Sequence, residues 1–423
     1  MASALLRNEY HSSMTKFLVI RRDNIGDLVC TTPLFEALKA RFPESTIHAL
    51  VNSYNSAVLE GNPNIAAIHV YEKLKHEKNI FRAPWIIARR ISLLAKLRQM
   101  GFDYAIIAGS AFQPRAVNYL RWIRPKHIIG YLAQAHAASR IIDLGLPLEN
   151  AYGLHEVEAT FRLLTKLDIH GQPSNVKVYP NVPFHEPKPN GRVDQARRIH
   201  QAADETRCAV FSTVDPLYLI HPTTTIQAHG PSEVSAPPKQ AASNEPARNN
   251  QQHPLCVGVH ISSRKPSQRW PEDNFVEFIR HLREQYAAKV LLFWSPGTES
   301  DKRHPGDDNK ANAILTQLND PAVIAMPTST LRDLIDAMAE PDLFVCSDGG
   351  AMHIAAGLDK PILCFFGDSD ASHWHPWGVL NELLQTESRV ATDISVADAI
   401  RGFEKLLARI KHRMNSESFV APP

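Results

Sequence analysis

Three short polar runs, each following an apolar stretch, carry the residue types that hold an anion or move a proton. From Cys346 the chain reads Cys-Ser-Asp-Gly-Gly-Ala-Met-His. An apolar segment ends at Ser347 and Asp348, Gly349 and Gly350 let the backbone turn, and Ala351 to Leu358 is helix-forming. The free amides and dipole of a helix start attract a phosphate. Pro361 to Gly367 is again apolar, so the unit reads strand, helix, parallel strand, with its turn at the carboxyl edge where open α/β sheets bind ligands. A plain tight connection satisfies the same pattern. Near the amino end, the strand Phe17 to Ile20 runs into Arg21, Arg22, Asp23, Asn24, Ile25, Gly26 and Asp27. Thr32 can cap the next helix, Pro33 suits its first turn, and Leu34, Leu38 and Phe42 recur at helical spacing. Asp27 is thereby predicted in or beside a strand-to-helix turn, where a Gly-Asp pair also serves simply as a turn. The third run follows Cys256: Ser262 and Ser263 offer hydroxyls, Arg264, Lys265 and Arg269 offer charge, and Pro271, Glu272 and Asp273 read as a helix start. Such a cluster suits a diphosphate, although basic loop residues are often merely solvated.

The elements that must position these runs form two series of alternating strands and helices, the pattern of parallel sheets wrapped by helices. The first runs through Phe17–Ile20, Thr46–Val51, Ala66–Tyr71, Tyr104–Ala108 and His127–Tyr131, with a helix over Ile86–Met100. The second restarts at Leu255–Ile261 and continues through Val290–Trp294, Ala322–Met326, Leu343–Cys346 and Ile362–Phe366. Between them, from Pro187 to His253, Pro, Gln, Asn and Ser accumulate, and Gly230 to Asn250 has almost no large apolar residue. That composition cannot offset its ordering entropy, so 187–253 reads as a largely disordered insertion, with a helix near Val193–Ala203 and an apolar island at Val210–Ile220. The predicted domains are 1–186 and 254–413, with a flexible tail at 414–423.

At 423 residues, 44% hydrophobic and 21% charged, the chain can bury two cores, since single cores stop growing near ~250 to 300 residues. The formal net charge of +2 carries no nucleic-acid footprint but does not oppose an anionic membrane surface. No apolar run approaches the ~20 residues of a membrane helix, and the first residues lack a signal-peptide core, so a cytoplasmic location is expected. Cys30, Cys208, Cys256, Cys346 and Cys364 form no Cys-x-x-Cys pair, and three lie in or beside apolar strands, which suits a reducing compartment.

Taken together, the three runs resemble glycosyltransferase family 9, the heptosyltransferases of lipopolysaccharide core assembly. The residues that carry the resemblance are Ile25-Gly26-Asp27 with Thr31-Thr32-Pro33-Leu34, then His155, Val157, Arg162, Leu163 and Leu164, then Ser262 to Pro271 with its Arg269-Trp270-Pro271, and finally Asp348, Gly350, Met352 and His353. It covers roughly residues 16–190 and 254–410.

The resemblance implies the GT-B architecture, two facing Rossmann-like domains with an interdomain cleft, the first for the acceptor and the second for a nucleotide sugar. It implies inverting transfer of a heptose or related sugar, with ADP-heptose as donor and the lipid A/core oligosaccharide at the inner membrane surface as acceptor, hence a cytoplasmic enzyme, peripheral at most. The base that takes the acceptor's proton falls on Asp27. The departing diphosphate falls to Ser262, Ser263, Arg264, Lys265 and Arg269 on one loop and to Gly349, Gly350 and His353 on the other. Asp348, Ser329 and Thr330 fall beside the donor's sugar, ribose or base. For several of these a structural role is equally available: His353 as a packing histidine, Asp348 and Thr330 as caps, Arg269 as a surface charge. No cofactor is implied, and basic side chains with a helix terminus stand in for a divalent metal. The scattered histidines form no metal motif, and His373 and His375, flanking Trp374, read as surface residues. Many relatives place Lys two positions before Trp270, where this chain has Gln268, so Arg264 or Lys265 would have to supply that charge.

Two other classes fit the chain less well. A nicotinamide-dependent dehydrogenase lacks its Gly-x-Gly-x-x-Gly after either leading strand. A non-catalytic sugar-nucleotide binder fits Gln268 and the insertion, while Asp27 speaks for an enzyme. A family-9-like transferase using another nucleotide sugar for a different surface glycan is the nearest alternative, and acceptor choice is expected in variable loops such as Lys73 to Pro84.

Overall fold

The computed structural model describes residues 14–72, 83–133, 136–181, 254–300 and 305–418. Expectations for 187–253, for Cys208, and for most of the Lys73–Pro84 loop lie outside the described residues.

The first half runs β1 (Lys16–Ile20), α1 (Ile25–Val29), α2 (Thr32–Arg41), β2 (Thr46–Asn52), β3 (Ala67–Tyr71), α3 (Ala83–Met100), β4 (Tyr104–Ile107), α4 (Pro114–Ile123), β5 (His127–Leu132), β6 (Leu144–Pro147) and α5 (Glu156–Arg162). The second runs β7 (Cys256–His260), α6 (Glu272–Tyr286), β8 (Lys289–Trp294), α7 (Asp308–Leu318), β9 (Val323–Pro327), α8 (Leu331–Ala337), β10 (Leu343–Ser347), α9 (Gly350–Gly357), β11 (Ile362–Phe366), α10 (Ala371–Trp374), β12 (Asn381–Gln385) and α11 (Val396–Ser418). Each half builds a six-stranded parallel sheet, ordered β3-β2-β1-β4-β5-β6 and β12-β11-β10-β7-β8-β9. Both are the doubly wound order, which reverses direction once, between β1 and β4 and between β7 and β10. The loops that leave the carboxyl ends of those four strands therefore splay apart and open a crevice. All three polar runs emerge there.

The central strands are fully buried, as near-continuous runs such as Phe-Leu-Val-Ile and Leu-Phe-Val-Cys require when helices cover both faces. One apolar cluster crosses from half to half: Phe17, Val19 and Val178 share it with Met352, Ile354 and Cys364. The contact is tight because Gly357 has no side chain, and its carbonyl accepts the Val178 amide at 2.8 Å. The outer faces have their own clusters, one of which sets α3 and α4 on Leu18, Ile20, Ala105 and Ile107.

Four features depart from the sequence expectation. Strands β6 and β12 were not expected; both lie at sheet edges, where Leu-Gly-Leu-Pro and Asn-Glu-Leu-Leu-Gln need not be uniformly apolar. The loop through Asp27 contains a helical turn, α1, closed by reciprocal capping between Asn24 and Asp27. Thr32 does not cap α2: its hydroxyl donates to the Val29 carbonyl at 2.7 Å and accepts the Lys177 amide at 2.9 Å. The expected tail from 414 is helical as far as Ser418, since no Gly or Pro interrupts the sequence there.

Candidate active site

On the first half, the site is organised by one buried arginine. Arg21, the residue after β1, sends Nη2 to Asp27 Oδ1 at 2.6 Å, Nη1 to Glu156 Oε1 at 2.8 Å and Nε to Asp23 Oδ2 at 3.4 Å. Burial disfavours its charge, but Glu156, Asp27 and Asp23 outweigh burial and hold the guanidinium more firmly protonated than usual. The space for it comes from Gly109 beyond β4, at φ +134°, where any side chain would collide with Nη1. Asp27, the third residue of α1, has both oxygens engaged: Oδ1 by Arg21 and Oδ2 by the Asn24 amide at 3.1 Å. A carboxylate has about four lone-pair positions, so each oxygen keeps one for a ligand while two bonds fix its aim.

Glu156 was not foreseen. It opens α5 and is almost fully buried, pressed against Arg21 and within 3.0 Å of His373 Nε2 from the second half. Burial opposes its ionisation, yet Arg21 and the His373 hydrogen bond win and lower its pKa from 4.5 to about 2. The other nitrogen of His373, Nδ1, meets the Leu154 carbonyl at 2.6 Å. Both of its partners only accept, so His373 satisfies both as an imidazolium. The hydrogen bond to Glu156 raises its pKa against the effect of burial. Neighbouring His155 is the converse. Its Nδ1 accepts the Val157 amide at 3.1 Å and its Nε2 donates to the His375 carbonyl at 2.9 Å, a neutral tautomer that burial holds at a pKa of about 3. His373 and His375 are thus not surface residues; they join the halves. The nearest sequence signal was a Glu beside the already marked His155, and nothing in the chain's order paired it with a histidine 217 positions away.

On the second half, Gln268 is the hub. Its amide nitrogen donates to Asp348 Oδ2 at 2.5 Å and to Ser369 Oγ at 2.9 Å, and its oxygen accepts the Ser263 hydroxyl at 3.0 Å. The ends of β7, β10 and β11 are tied at one point. Lys265 lies against the same knot, 3.1 Å from Asp368 Oδ1 and 3.2 Å from Ser369 Oγ, while Arg264 is exposed. The Arg264 charge is felt by Tyr54 of the first half, whose pKa burial raises and Arg264 lowers. Arg269 is engaged inside the loop: its Nε donates to the Ser263 carbonyl at 2.9 Å and Nη1 is 3.8 Å from buried Asp307. Ser262 accepts the Ser295 amide at 2.9 Å and so links the ends of β7 and β8.

The helix α9 brings the two halves together. Gly350 packs on Ile25, and His353 lies on Gly26, where a Cβ would overlap its imidazole ring. His353 is buried beside Cys30 Sγ at 3.6 Å and edge-on to Trp374, and burial lowers its pKa. This geometry is that of a packing histidine, one helical turn behind Gly349 and Gly350. Asp348 binds Gln268 rather than capping α9, whose first flanking residue is Gly349. Thr330 caps α8 by accepting the Asp333 amide at 3.1 Å, and Ser329 is exposed beside it at the edge strand β9. Neither makes a described bond to the Gln268 knot. Among the described residues, no group of three or more His, Cys, Asp or Glu is placed to hold a metal ion.

Two doubly wound parallel sheets, with a fixed carboxylate at the switch point of one and a Gly-Gly turn beside a basic loop at that of the other, define an α/β protein of two sheets. Glycosyltransferase family 9 (heptosyltransferase) matches residues 90–398, and the chain belongs to that family. It is a transferase. Lipopolysaccharide heptosyltransferase 2 of Salmonella typhimurium is 22% identical over 366 residues, 85% of either chain. A family 9 glycosyl transferase from Veillonella parvula superposes with TM-score 0.66 at 17% identity over 93% of this chain and 97% of that one. The heptosyltransferase WaaC of E. coli, solved with ADP, gives 0.62 at 15% over 93% and 100%. The fold is thus the two-sheet fold of those enzymes, GT-B.

Proposed function

We propose that the protein transfers a heptose from a nucleotide diphosphate donor, ADP-heptose, to the inner core of lipopolysaccharide with inversion at the anomeric carbon. The observation that carries this reading is the placement of Asp27 at one switch point, its helix seated directly against the helix of the Gly349-Gly350 turn at the other. An inverting displacement needs a base on the face opposite the leaving group and a charged cradle for that group. Asp27 takes the proton of the acceptor hydroxyl while Arg21 and the Asn24 amide hold its carboxylate in line. The departing diphosphate is met by Ser263, Lys265 and Arg264 and by the amides that open α9, so that no divalent ion is required. The names of the relatives, lipopolysaccharide heptosyltransferases among them, support the donor and acceptor assignment.

Incubation with ADP-heptose and a heptose-deficient lipid A core acceptor, followed by mass spectrometry, should show a single added heptose. It should proceed equally in excess chelator. Turnover with another nucleotide sugar alone would replace the donor assignment, and failure with every donor and acceptor would leave a binding protein.

A further inference from the structure

We infer that the outer face formed by α3 and α4 is a docking surface for an anionic phospholipid bilayer. These two helices cover the side of the first sheet turned away from the second half, over Leu18, Ile20, Ala105 and Ile107. Their inner faces bury Leu94, Leu97, Val117 and Leu120. Their outer faces should then be polar, as an amphipathic helix requires. Instead Trp85, Ile87 and Ile91 of α3 are 52%, 45% and 57% exposed, and Trp122 of α4 is 64% exposed. Scattered single apolar residues on a surface need no account, but three within two turns of one helix do.

The charge around them names the occupant. Residues 83–124 carry seven Arg and Lys against one carboxylate, Asp103, and that one is already paired with Lys126 at 2.8 Å. Lys96, Arg98, Arg115 and Arg121 are exposed on the two helices, and Arg124 just beyond the end of α4. Arg89 stacks over the Trp85 ring at 4.5 Å while pairing with Glu72, so the indole is held as an aromatic-cation tip. A chain with net charge of only +2 thus concentrates much of its excess positive charge beside its exposed tryptophans. Exposed Trp and Ile interleaved with Arg and Lys match the bilayer interface, where apolar tips enter the headgroup boundary and cations meet anionic lipid.

Position gives the face its use. The amino end of α3, with Trp85, Ile87 and Ile91, follows β3 and so lies at the carboxyl edge of the sheet, where the crevice opens. Arg90 donates to the Glu72 carbonyl and lies over the Tyr71 ring at 5.7 Å. The Tyr71 hydroxyl in turn accepts Arg22 Nε at 3.0 Å, next to Arg21. The face is therefore two side chains from the Asp27 cluster, and a bilayer seated on it would present its headgroups beside the first half's site. This use rests on a membrane-borne acceptor; the docking itself does not.

The test is vesicle sedimentation of the full chain without any sugar substrate. Wild type should pellet with vesicles of phosphatidylglycerol and phosphatidylethanolamine, weakly with phosphatidylcholine alone, and should release from the former in high salt. Replacing Lys96 and Arg98 together by Glu should lower partitioning at least tenfold, since each basic residue near an anionic surface contributes roughly fivefold. Trp85→Ser with Ile91→Ser should lower it similarly, and brominated lipid should quench wild-type fluorescence more than that of Trp85→Ser. Circular dichroism and ADP binding, unchanged in these variants, show that the fold and donor site survive. Equal pelleting of wild type and both double variants would overturn the proposal. So would a wild type that ignores anionic vesicles but self-associates in sedimentation velocity, with the variants monomeric, because the face would then join two copies of the chain. Loss of transfer from a different donor assignment would leave vesicle binding intact, so the two readings fail separately.

Discussion

Asp27→Asn keeps the size of the side chain but leaves one acceptor oxygen in place of two, so one of the bonds from Arg21 and the Asn24 amide is lost along with the base. Donor binding should persist while transfer falls by about 10² to 10⁴, the range for a lost general base; comparison of ADP release with ADP-heptose titration separates the two, and near-normal turnover would remove Asp27 from the reaction. Gln268 gives the opposite kind of experiment. It holds Asp348, Ser369 and Ser263 through a neutral amide, and Lys265 is drawn to Asp368 nearby. Gln268→Lys would keep a donor toward Asp348 and add a cation at the anion turn. Donor affinity should rise by about 1.5 to 3 kcal/mol, the scale of a charged hydrogen bond, read by calorimetry with ADP. Unchanged or weaker binding would mean that the diphosphate does not reach this knot. These residues were legible in sequence because each follows its own strand within a few positions. Arg21, Glu156 and His373 were not, since their meaning lies in pairing: Arg21 reads as one of several loop charges until Glu156, 135 positions later, is folded against it.

At the scale of elements, the contact between α1 and α9 decides whether the two switch points face one another. Gly26 is required there by close approach rather than by an unusual dihedral: a single methyl would enter the His353 ring. Gly26→Ala should therefore push α9 away, lowering both Tm and transfer, and His353→Ala should restore part of the loss by vacating the space. Thermal unfolding of the two single variants and the double gives the coupling, and purely additive losses would show that the two residues do not touch. The eight inner strands were readable because burial on both faces leaves nearly unbroken apolar runs, and the edge strands β3 and β9 by their short apolar stretches between polar loops. The one-turn helix α1 was not readable as a helix. Five residues cannot show a period, and the reciprocal caps that close it involve the same Asn24 and Asp27 that read as a polar turn.

At the scale of the whole molecule, the seam between the halves titrates, and its groups pull in opposite directions. His373 has a raised pKa through Glu156, so its bond stabilises the fold fully below about pH 6.5 and fades as pH rises through the raised value. His155 and His353 at the same seam, with His48, His69 and His260 in the two sheets, have lowered pKa values through burial, as far as about 3 for His155 and about 4 for His69 and His260. Each of these takes up a proton on unfolding once the pH falls below its ordinary 6.5, which weakens the fold on the acid side. Five such groups oppose one, so Tm should fall from pH 7 to pH 5 despite His373. Glu156 adds a further loss only below about pH 4.5, as the carboxylate held at about 2 is approached, worth on the order of 3 kcal/mol when complete. The contribution of His373 must then be read as a difference. The gap in Tm between wild type and His373→Gln should be widest near pH 6 and should close as pH rises toward 9, with Glu156→Gln abolishing the pH dependence of that gap. A gap that is flat with pH, or that widens on the alkaline side, would mean that His373 holds the halves together as a neutral ring and that Arg21 alone keeps Glu156 charged.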